Sequence, residues 1–160
     1  MSIFKVVSGE DSILLLYDRI NYVKRPTATT ADFIYGASVS TIYTYEEMKR
    51  VKEFWRQEEG KAFYHLILSP EFFEETEAEN FFVANAEIAE WLGKYDGWRQ
   101  VIMAVHFDKK SFLHSHFIVN NVNISDGSRW HLSPFVLREV KREISKILLR
   151  YGISEIRQRF

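Results

Sequence analysis

Hydrophobic and polar positions along the chain switch between the spacing of strands and the spacing of helices. Segments rich in β-branched and aromatic residues predict short strands. These strand predictions cover residues 3–7, 33–43 (after a break at Gly36), 62–68, 100–107 and 114–122. Apolar residues at helical spacing predict helices over residues 13–24, 45–57, 71–93 and 134–151. The alternation, with one clear hairpin, predicts an α+β fold: a central antiparallel-type sheet of about five strands with helices packed on it.

Local end signals mark two of these helices. Thr44 is followed three residues later by Glu47, the pattern of a capping box. Ser133 precedes Pro134, which predicts a capped helix start with proline in the first turn. The same helix meets Gly152, which is typical of the position after a helix C-terminus.

Length and composition restrict the class of protein. A chain of 160 residues with 46% hydrophobic residues predicts a single globular domain over residues 1–160. The chain has no cysteine, so disulfides, thiolate metal sites and a cysteine nucleophile are excluded, and any metal site must use histidines and carboxylates. The net charge of -1 by itself argues mildly against a nucleic-acid-binding protein, whose surface is usually basic.

The apolar segments are too short for a membrane or secretion signal. The first ten residues contain no apolar run, and the next run, 13–16, is four residues long before Asp18. A signal peptide needs a longer apolar region, and a membrane-spanning helix needs about 20 apolar residues. We therefore expect a cytoplasmic protein with no membrane partner.

Three of the five histidines lie within eleven residues: His106, His114 and His116. His114 and His116 are two apart on a predicted strand, so both side chains lie on one face. A hairpin centred on Lys110 places His106 opposite His114 on that same face. Three imidazoles with an open position are typical of a catalytic metal site. Asp108, in the turn, is placed to orient a histidine or to hold the water of a bound metal.

Isolated histidines are more often structural. His65 and His131 stand alone in the sequence, and for both we expect structural or surface roles rather than metal ligation. The three clustered histidines could also be polar residues without a ligand, but burying three of them in a sheet then requires other partners. We therefore favour the metal site for the cluster.

The segment VHFDKKSFLHSHFIVNNVNISDG, residues 105–127, resembles the HUH-type three-histidine motif of relaxases, the mobilisation nucleases of conjugative elements. Two upstream segments occur in the family's order. RINYVKRP, residues 19–26, resembles the N-terminal motif of the MobA/VirD2-type branch, and YHLILSP, residues 64–70, resembles its middle motif. The three motifs in order favour the family more strongly than any one of them alone.

The resemblance implies a mechanism and residue roles. It implies metal-dependent nicking and rejoining of one DNA strand at an origin of transfer, through a 5′-phosphotyrosyl intermediate. The nucleophile maps to Tyr22, with Tyr17 as its rival. Imidazole ligands alone would suit Zn, Ni, Cu or Fe, whereas the resemblance implies Mg or Mn. Asp108 is a candidate orienting or basic residue.

The resemblance also implies partners. Single-stranded DNA at the origin of transfer is the expected substrate, with accessory mobilisation proteins as further candidates. Ser69 maps to the serine that contacts DNA near the cut. Basic residues beside the predicted catalytic residues are expected to bind phosphates: Lys24, Arg25, Lys109 and Lys110. Because relaxases carry further C-terminal segments, the chain is also a candidate N-terminal part of a longer protein.

Three alternatives stay open at the level of sequence. A rolling-circle replication initiator shares the histidines, but its tyrosine usually follows them, whereas Tyr22 precedes them. A metal-stabilised DNA-binding module would bind the origin without cutting. A purely structural domain would bind no metal at the cluster.

Overall fold

A computed structural model describes residues 1–8, 11–71, 77–109 and 112–158. The strands found there are β1 (Ile3–Val6), β2 (Ile34–Ala37), β3 (Phe63–Ser69), β4 (Val101–Lys109) and β5 (Phe112–Asn120). The α-helices are α1 (Ile13–Val23), α2 (Thr44–Phe54), α3 (Ala78–Lys94) and α4 (Pro134–Arg150), and a short 3-10 turn covers Ala31–Phe33.

The strands form one sheet in the order β1-β3-β5-β4-β2, and each neighbouring pair is antiparallel. The β4–β5 hairpin therefore lies in the interior of the sheet, between β3 and β2. Both of its strands are flanked by other strands, and their side chains point alternately to the two broad faces of the sheet. The predicted α+β architecture with about five strands is confirmed.

Helices cover both faces of the sheet. Alternate residues of β4, such as Val101 and Met103, pack with residues of α3 and α4 in the larger apolar cluster. The intervening residue Ile102 packs with residues of α1 and α2 in a smaller cluster. We call these the α3/α4 face and the α1/α2 face. Burial on both faces explains why the central strands are nearly continuous in hydrophobicity.

The last helix begins and ends as its sequence predicts. Ser133 Oγ accepts a hydrogen bond from the backbone N–H of Val136 at 3.2 Å, and Pro134 is the first helical residue. After the helix, Gly152 has a φ of 71°, a conformation that glycine adopts without steric cost.

The predicted capping box at the start of α2 is wrong. Thr44 is the first residue of the helix rather than the residue before it, and its Oγ1 donates to the Ser40 carbonyl at 2.6 Å. Glu47 Oε1 instead accepts from the backbone N–H of Ser40 at 3.0 Å. The preceding loop folds back on the first turn, so both side chains bind one loop residue.

Two element boundaries also differ from prediction. Gly36 lies inside β2 rather than before it, and it is glycine there because a side chain would overlap the carbonyl oxygen of Val39. The helix predicted over 71–93 is described from Ala78 onward, and residues 72–76 lie outside the described part of the chain. Among the described helices, none has the length and apolar content needed to cross a membrane.

Candidate metal centre

The β4–β5 hairpin brings the three predicted metal ligands together on the α1/α2 face. His106 pairs directly with His114, as the sequence predicts, and Ala104 pairs with His116. The His106 and His116 ring centroids are 4.1 Å apart, and those of His114 and His116 are 5.0 Å apart. One nitrogen from each of the three rings lies within 4.8 Å of the others. His106 and His116 are buried, while His114 is half-buried.

The backbone at the end of α1 fixes the tautomer of His106. His106 Nε2 lies 2.7 Å from the carbonyl oxygen of Val23. A carbonyl oxygen only accepts hydrogen bonds, so the neutral ring carries its proton on Nε2 and its lone pair on Nδ1. That Nδ1 is buried and has no hydrogen-bond partner among the described residues.

His116 has a comparable arrangement, but its partner is a side chain. His116 Nδ1 lies 2.7 Å from Nε2 of His65 on β3. His116 Nε2 is buried and, within the described part of the chain, has no hydrogen-bond partner. Buried polar atoms are rarely left unpaired, so two such nitrogens in one cluster are available as donors to a cation. The imidazole donors present therefore fit a divalent metal ion with at least three protein ligands.

His65 does not stand alone, which corrects the expectation from sequence. It is buried on β3 and bound to the cluster, although 51 positions separate it from His116. The β3–β5 register pairs Ile67 with His116 and His65 with Ile118, so His65 and His116 share a face. The alternation within β3 was the only sequence signal for this, and it identifies a face only when the pairing of distant strands is known.

Burial favours the neutral form of three of these histidines, because it lowers the pKa of each. Loss of hydration lowers the pKa of His106 to about 4 and that of His65 to about 4. Burial also lowers the pKa of His116, and the neighbouring histidines and Arg25 lower it further. Neutral imidazoles are the form that binds metals, so these residues need no deprotonation near neutral pH.

Tyr22, the predicted nucleophile, lies beside the cluster at the end of α1. Its ring centroid is 5.8 Å from that of His116 and 6.2 Å from that of His106, and its side chain is 45% exposed. Its rival Tyr17 packs edge-on against Tyr45 of α2, with centroids 5.2 Å apart. The structure therefore brings Tyr22, rather than Tyr17, to the histidines as an accessible phenol.

Arg25 links Tyr22 to Asp108. Its guanidinium lies 4.1 Å from the centroid of the Tyr22 ring, and Nη2 donates to Asp108 Oδ2 at 2.7 Å. Nη1 donates to the Tyr22 carbonyl oxygen at 2.8 Å. Asp108, predicted to orient a histidine or a water, thus holds an arginine on the face of the tyrosine ring.

The predicted DNA-binding residues fall in different settings. Lys24 Nζ donates to the Thr41 carbonyl at 2.8 Å, and burial lowers its pKa. Ser69 lies two residues beyond Ile67, the partner of His116, on the same face of β3. Lys109 ends β4, but its side chain lies outside the described residues, as does the whole of Lys110.

Solved structures share this fold. A structure solved to explain the molecular basis of vancomycin resistance transfer in Staphylococcus aureus has a TM-score of 0.64 and 10% sequence identity, covering 100% of this chain and 99% of that one. The MobM relaxase domain, bound to plasmid pMV158 oriT DNA and manganese at pH 6.8, has a TM-score of 0.61 and 14% identity, covering 99% of this chain and 90% of that one. A second manganese-bound MobM complex, at pH 5.5, has a TM-score of 0.58 and 13% identity, with the same coverage.

Sequence comparison gives the family. No curated protein sequence matches the chain. The family described as "Relaxase: MobA/VirD2-like, nuclease domain" matches residues 22–153, which is most of the chain and includes Tyr22 and the three clustered histidines. The chain therefore belongs to the MobA/VirD2-like relaxases and contains their nuclease domain.

Proposed function

We propose that the protein nicks and rejoins one DNA strand at an origin of transfer, through a covalent 5′-phosphotyrosyl intermediate on Tyr22. The observation that carries the proposal is the placement of an accessible tyrosine ring beside two buried, unpaired imidazole nitrogens, those of His106 and His116. The tyrosine supplies a nucleophile, and the two imidazole nitrogens supply ligands for a cation.

The histidines would hold the cation. His106 Nδ1, His116 Nε2 and one nitrogen of His114 are the proposed ligands, and manganese or magnesium is the proposed ion. When bound, such an ion neutralises charge that develops on the scissile phosphate. The manganese in both MobM complexes supports this choice, although imidazole ligands alone would equally suit softer metals.

Tyr22 would attack in line. Its Oη forms a bond to phosphorus as the bond from phosphorus to the 3′ oxygen breaks, so the 3′ oxygen gains a proton and the phenol loses one. An ordinary phenol has a pKa near 10 and needs help to ionise. The Arg25 guanidinium lies over the Tyr22 ring and would stabilise the negative charge that this ring carries as a phenolate, and Asp108 orients that guanidinium.

Single-stranded DNA is the proposed substrate. Arg25 lies over the Tyr22 ring, and Ser69 lies on the face of β3 that carries His65; both are proposed to bind the phosphates near the cut. Lys24, Lys109 and Lys110 are proposed to bind the flanking backbone. The oriT DNA in the MobM complexes supports a DNA origin as the substrate class.

The experiment is a covalent-adduct assay. Labelled single-stranded oligonucleotides tiling the DNA beside the gene are mixed with the protein and Mn²⁺ and separated on a denaturing gel. We expect a shifted band that disappears in Tyr22→Phe and persists in the matched variant Tyr17→Phe. An adduct that survives Tyr22→Phe would refute the assigned nucleophile. Binding without any adduct would favour a module that does not cut.

A further inference from the structure

His65 is a buried polar residue that is neither a proposed metal ligand nor the proposed nucleophile. It lies on β3 with 3% of its surface exposed. Its Nε2 lies 2.7 Å from His116 Nδ1, and its own Nδ1 is buried with no hydrogen-bond partner among the described residues. Burying an imidazole costs hydration, so its position on this strand calls for a reason.

We infer that His65 is a positioning residue for the metal centre, whose Nε2 accepts the Nδ1–H of His116 and thereby keeps the lone pair of His116 on Nε2. This inference rests on the metal site of the proposed function. The distance requires a single hydrogen between the two nitrogens, and only two arrangements supply it. If His116 donates, its Nε2 can bind a cation. If His65 donates, His116 Nε2 carries a hydrogen and cannot.

The contrast with His106 shows why this matters. The partner of His106 is the carbonyl oxygen of Val23, which can only accept, so that tautomer is fixed by the backbone. The partner of His116 is another imidazole, which can donate or accept. A cation in the cluster therefore selects one arrangement of the pair, and His65 contributes to metal affinity by accepting from His116.

A role for His65 as a fourth ligand is the competing explanation. Its Nε2 is already engaged by His116, and the side chains whose ligand atoms all lie within 4.8 Å of one another are His106, His114 and His116. The geometry therefore places His65 behind His116 rather than among the ligands. The two explanations differ in whether Mn²⁺ affinity is kept when His65 is replaced by a side chain with another hydrogen-bond acceptor, such as glutamine.

The test measures Mn²⁺ affinity by calorimetry on the purified metal-free chain. We expect His65→Leu to bind Mn²⁺ about 10- to 100-fold more weakly than the wild type, the range typical of lost partners of metal ligands. His65→Gln keeps an oxygen acceptor and is expected to stay within about 3-fold of wild type. His131→Leu, at an exposed histidine, is the matched control and should bind as wild type. Thermal unfolding of each metal-free variant controls for folding.

A direct readout of the tautomer completes the design and does not depend on a variant. ¹⁵N NMR of the Mg²⁺-saturated wild type should show His116 protonated on Nδ1. Protonation on Nε2, or unchanged Mn²⁺ affinity in His65→Leu, would overturn the inference. Equal losses in His65→Leu and His65→Gln would instead assign a ligand or packing role.

Failure of this inference differs from failure of the proposed function. If the wild type binds Mn²⁺ and forms the Tyr22 adduct while His65→Leu binds equally well, only the role of His65 is refuted. If the wild type binds no Mn²⁺, the proposed metal site and the role of His65 fall together.

Discussion

The two faces of the sheet are both buried but differ in chemistry. On the α3/α4 face, β5 contributes Phe117 and Val119, which pack among apolar residues of both helices. On the α1/α2 face, the same strand contributes His114, His116 and Asn120. Because side chains alternate along a strand, the hairpin adds apolar side chains to the core on one side, and on the other it adds a polar site beside the smaller apolar cluster. The comparison indicates that the polar groups of the site are concentrated on the α1/α2 face, which also keeps a smaller apolar cluster of its own.

The α1/α2 face also buries a lysine. Lys52 of α2 is fully buried and donates hydrogen bonds to Asn120 Oδ1 and to the Ala62 carbonyl. Asn120 in turn donates to Gln100 and to the Met48 carbonyl. Both of these acceptors are uncharged, and burying an ammonium opposes folding, so apolar packing must offset this cost.

Removing an aromatic ring from the apolar face should have the largest effect on stability. Phe117→Ala leaves a cavity in the core and is expected to lower the free energy of unfolding by about 3–5 kcal/mol. His116→Ala, one position away, should cost far less but abolish Mn²⁺ binding. Urea unfolding of the metal-free proteins measures the free energies of unfolding, and calorimetry measures Mn²⁺ binding. If His116→Ala destabilises as much as Phe117→Ala, the division between faces is wrong.

The second-largest effect on stability should come from acid, through the buried histidines of the α1/α2 face. His65 and His106 have pKa values of about 4 when folded against 6.5 as the ordinary value, so between these pH values only the unfolded chain takes up their protons. Each of these two histidines should therefore lower the stability of the metal-free protein by about 3 kcal/mol as pH falls through this window. Urea unfolding at several pH values measures the slope. Phe117→Ala should keep the wild-type slope and His65→Leu should reduce it; identical slopes in all three would contradict this assignment.

Lys52 should give a smaller effect at alkaline pH. Burial lowers its pKa to about 7, against an ordinary 10.5, so in that window the unfolded chain binds the extra proton and stability rises with pH. The stability deficit of Lys52→Met relative to wild type should grow by up to about 1.4 kcal/mol per pH unit. Chemical unfolding at about pH 7.5 and about pH 9.5 tests this, with Lys49→Met on the same helix as the charge control. A deficit independent of pH would show that Lys52 is charged when folded.

The ion pair at the rim of the site should have the smallest effect on stability. Arg25 and Asp108 are partly exposed, so Arg25→Ala is expected to change the free energy of unfolding by less than about 1 kcal/mol while reducing adduct formation. Lys146→Ala, which removes another exposed ion pair, is the matched control and should leave adduct formation unchanged. Equal adduct yields in both variants would remove Arg25 from the site.

Sequence alone predicted the parts of the site that depend on local geometry. The spacing of His106 and His114 around a short turn was enough to place them opposite each other, because a hairpin register is set locally. Tyr22 was assigned through resemblance, since no local pattern distinguishes it from Tyr17. The structure separates the two by the packing of Tyr17 against Tyr45.

The contacts that escaped prediction join distant segments. His65 meets His116 only because β3 pairs with β5, and Asp108 meets Arg25 across 83 positions. The capping box failed for a related reason: Glu47 found a partner in Ser40, and a loop conformation cannot be inferred from the residues of the helix. Pairing over long separations depends on the whole fold, which one sequence does not specify by pattern.

The most direct test of the account is a crystal structure of the chain grown with Mn²⁺, with anomalous differences measured at the manganese edge. The account predicts a peak bonded to His106 Nδ1, His116 Nε2 and one nitrogen of His114, with His65 bonded only to His116. Manganese bound elsewhere with the histidine cluster left empty, or coordinated by His65 itself, would contradict it.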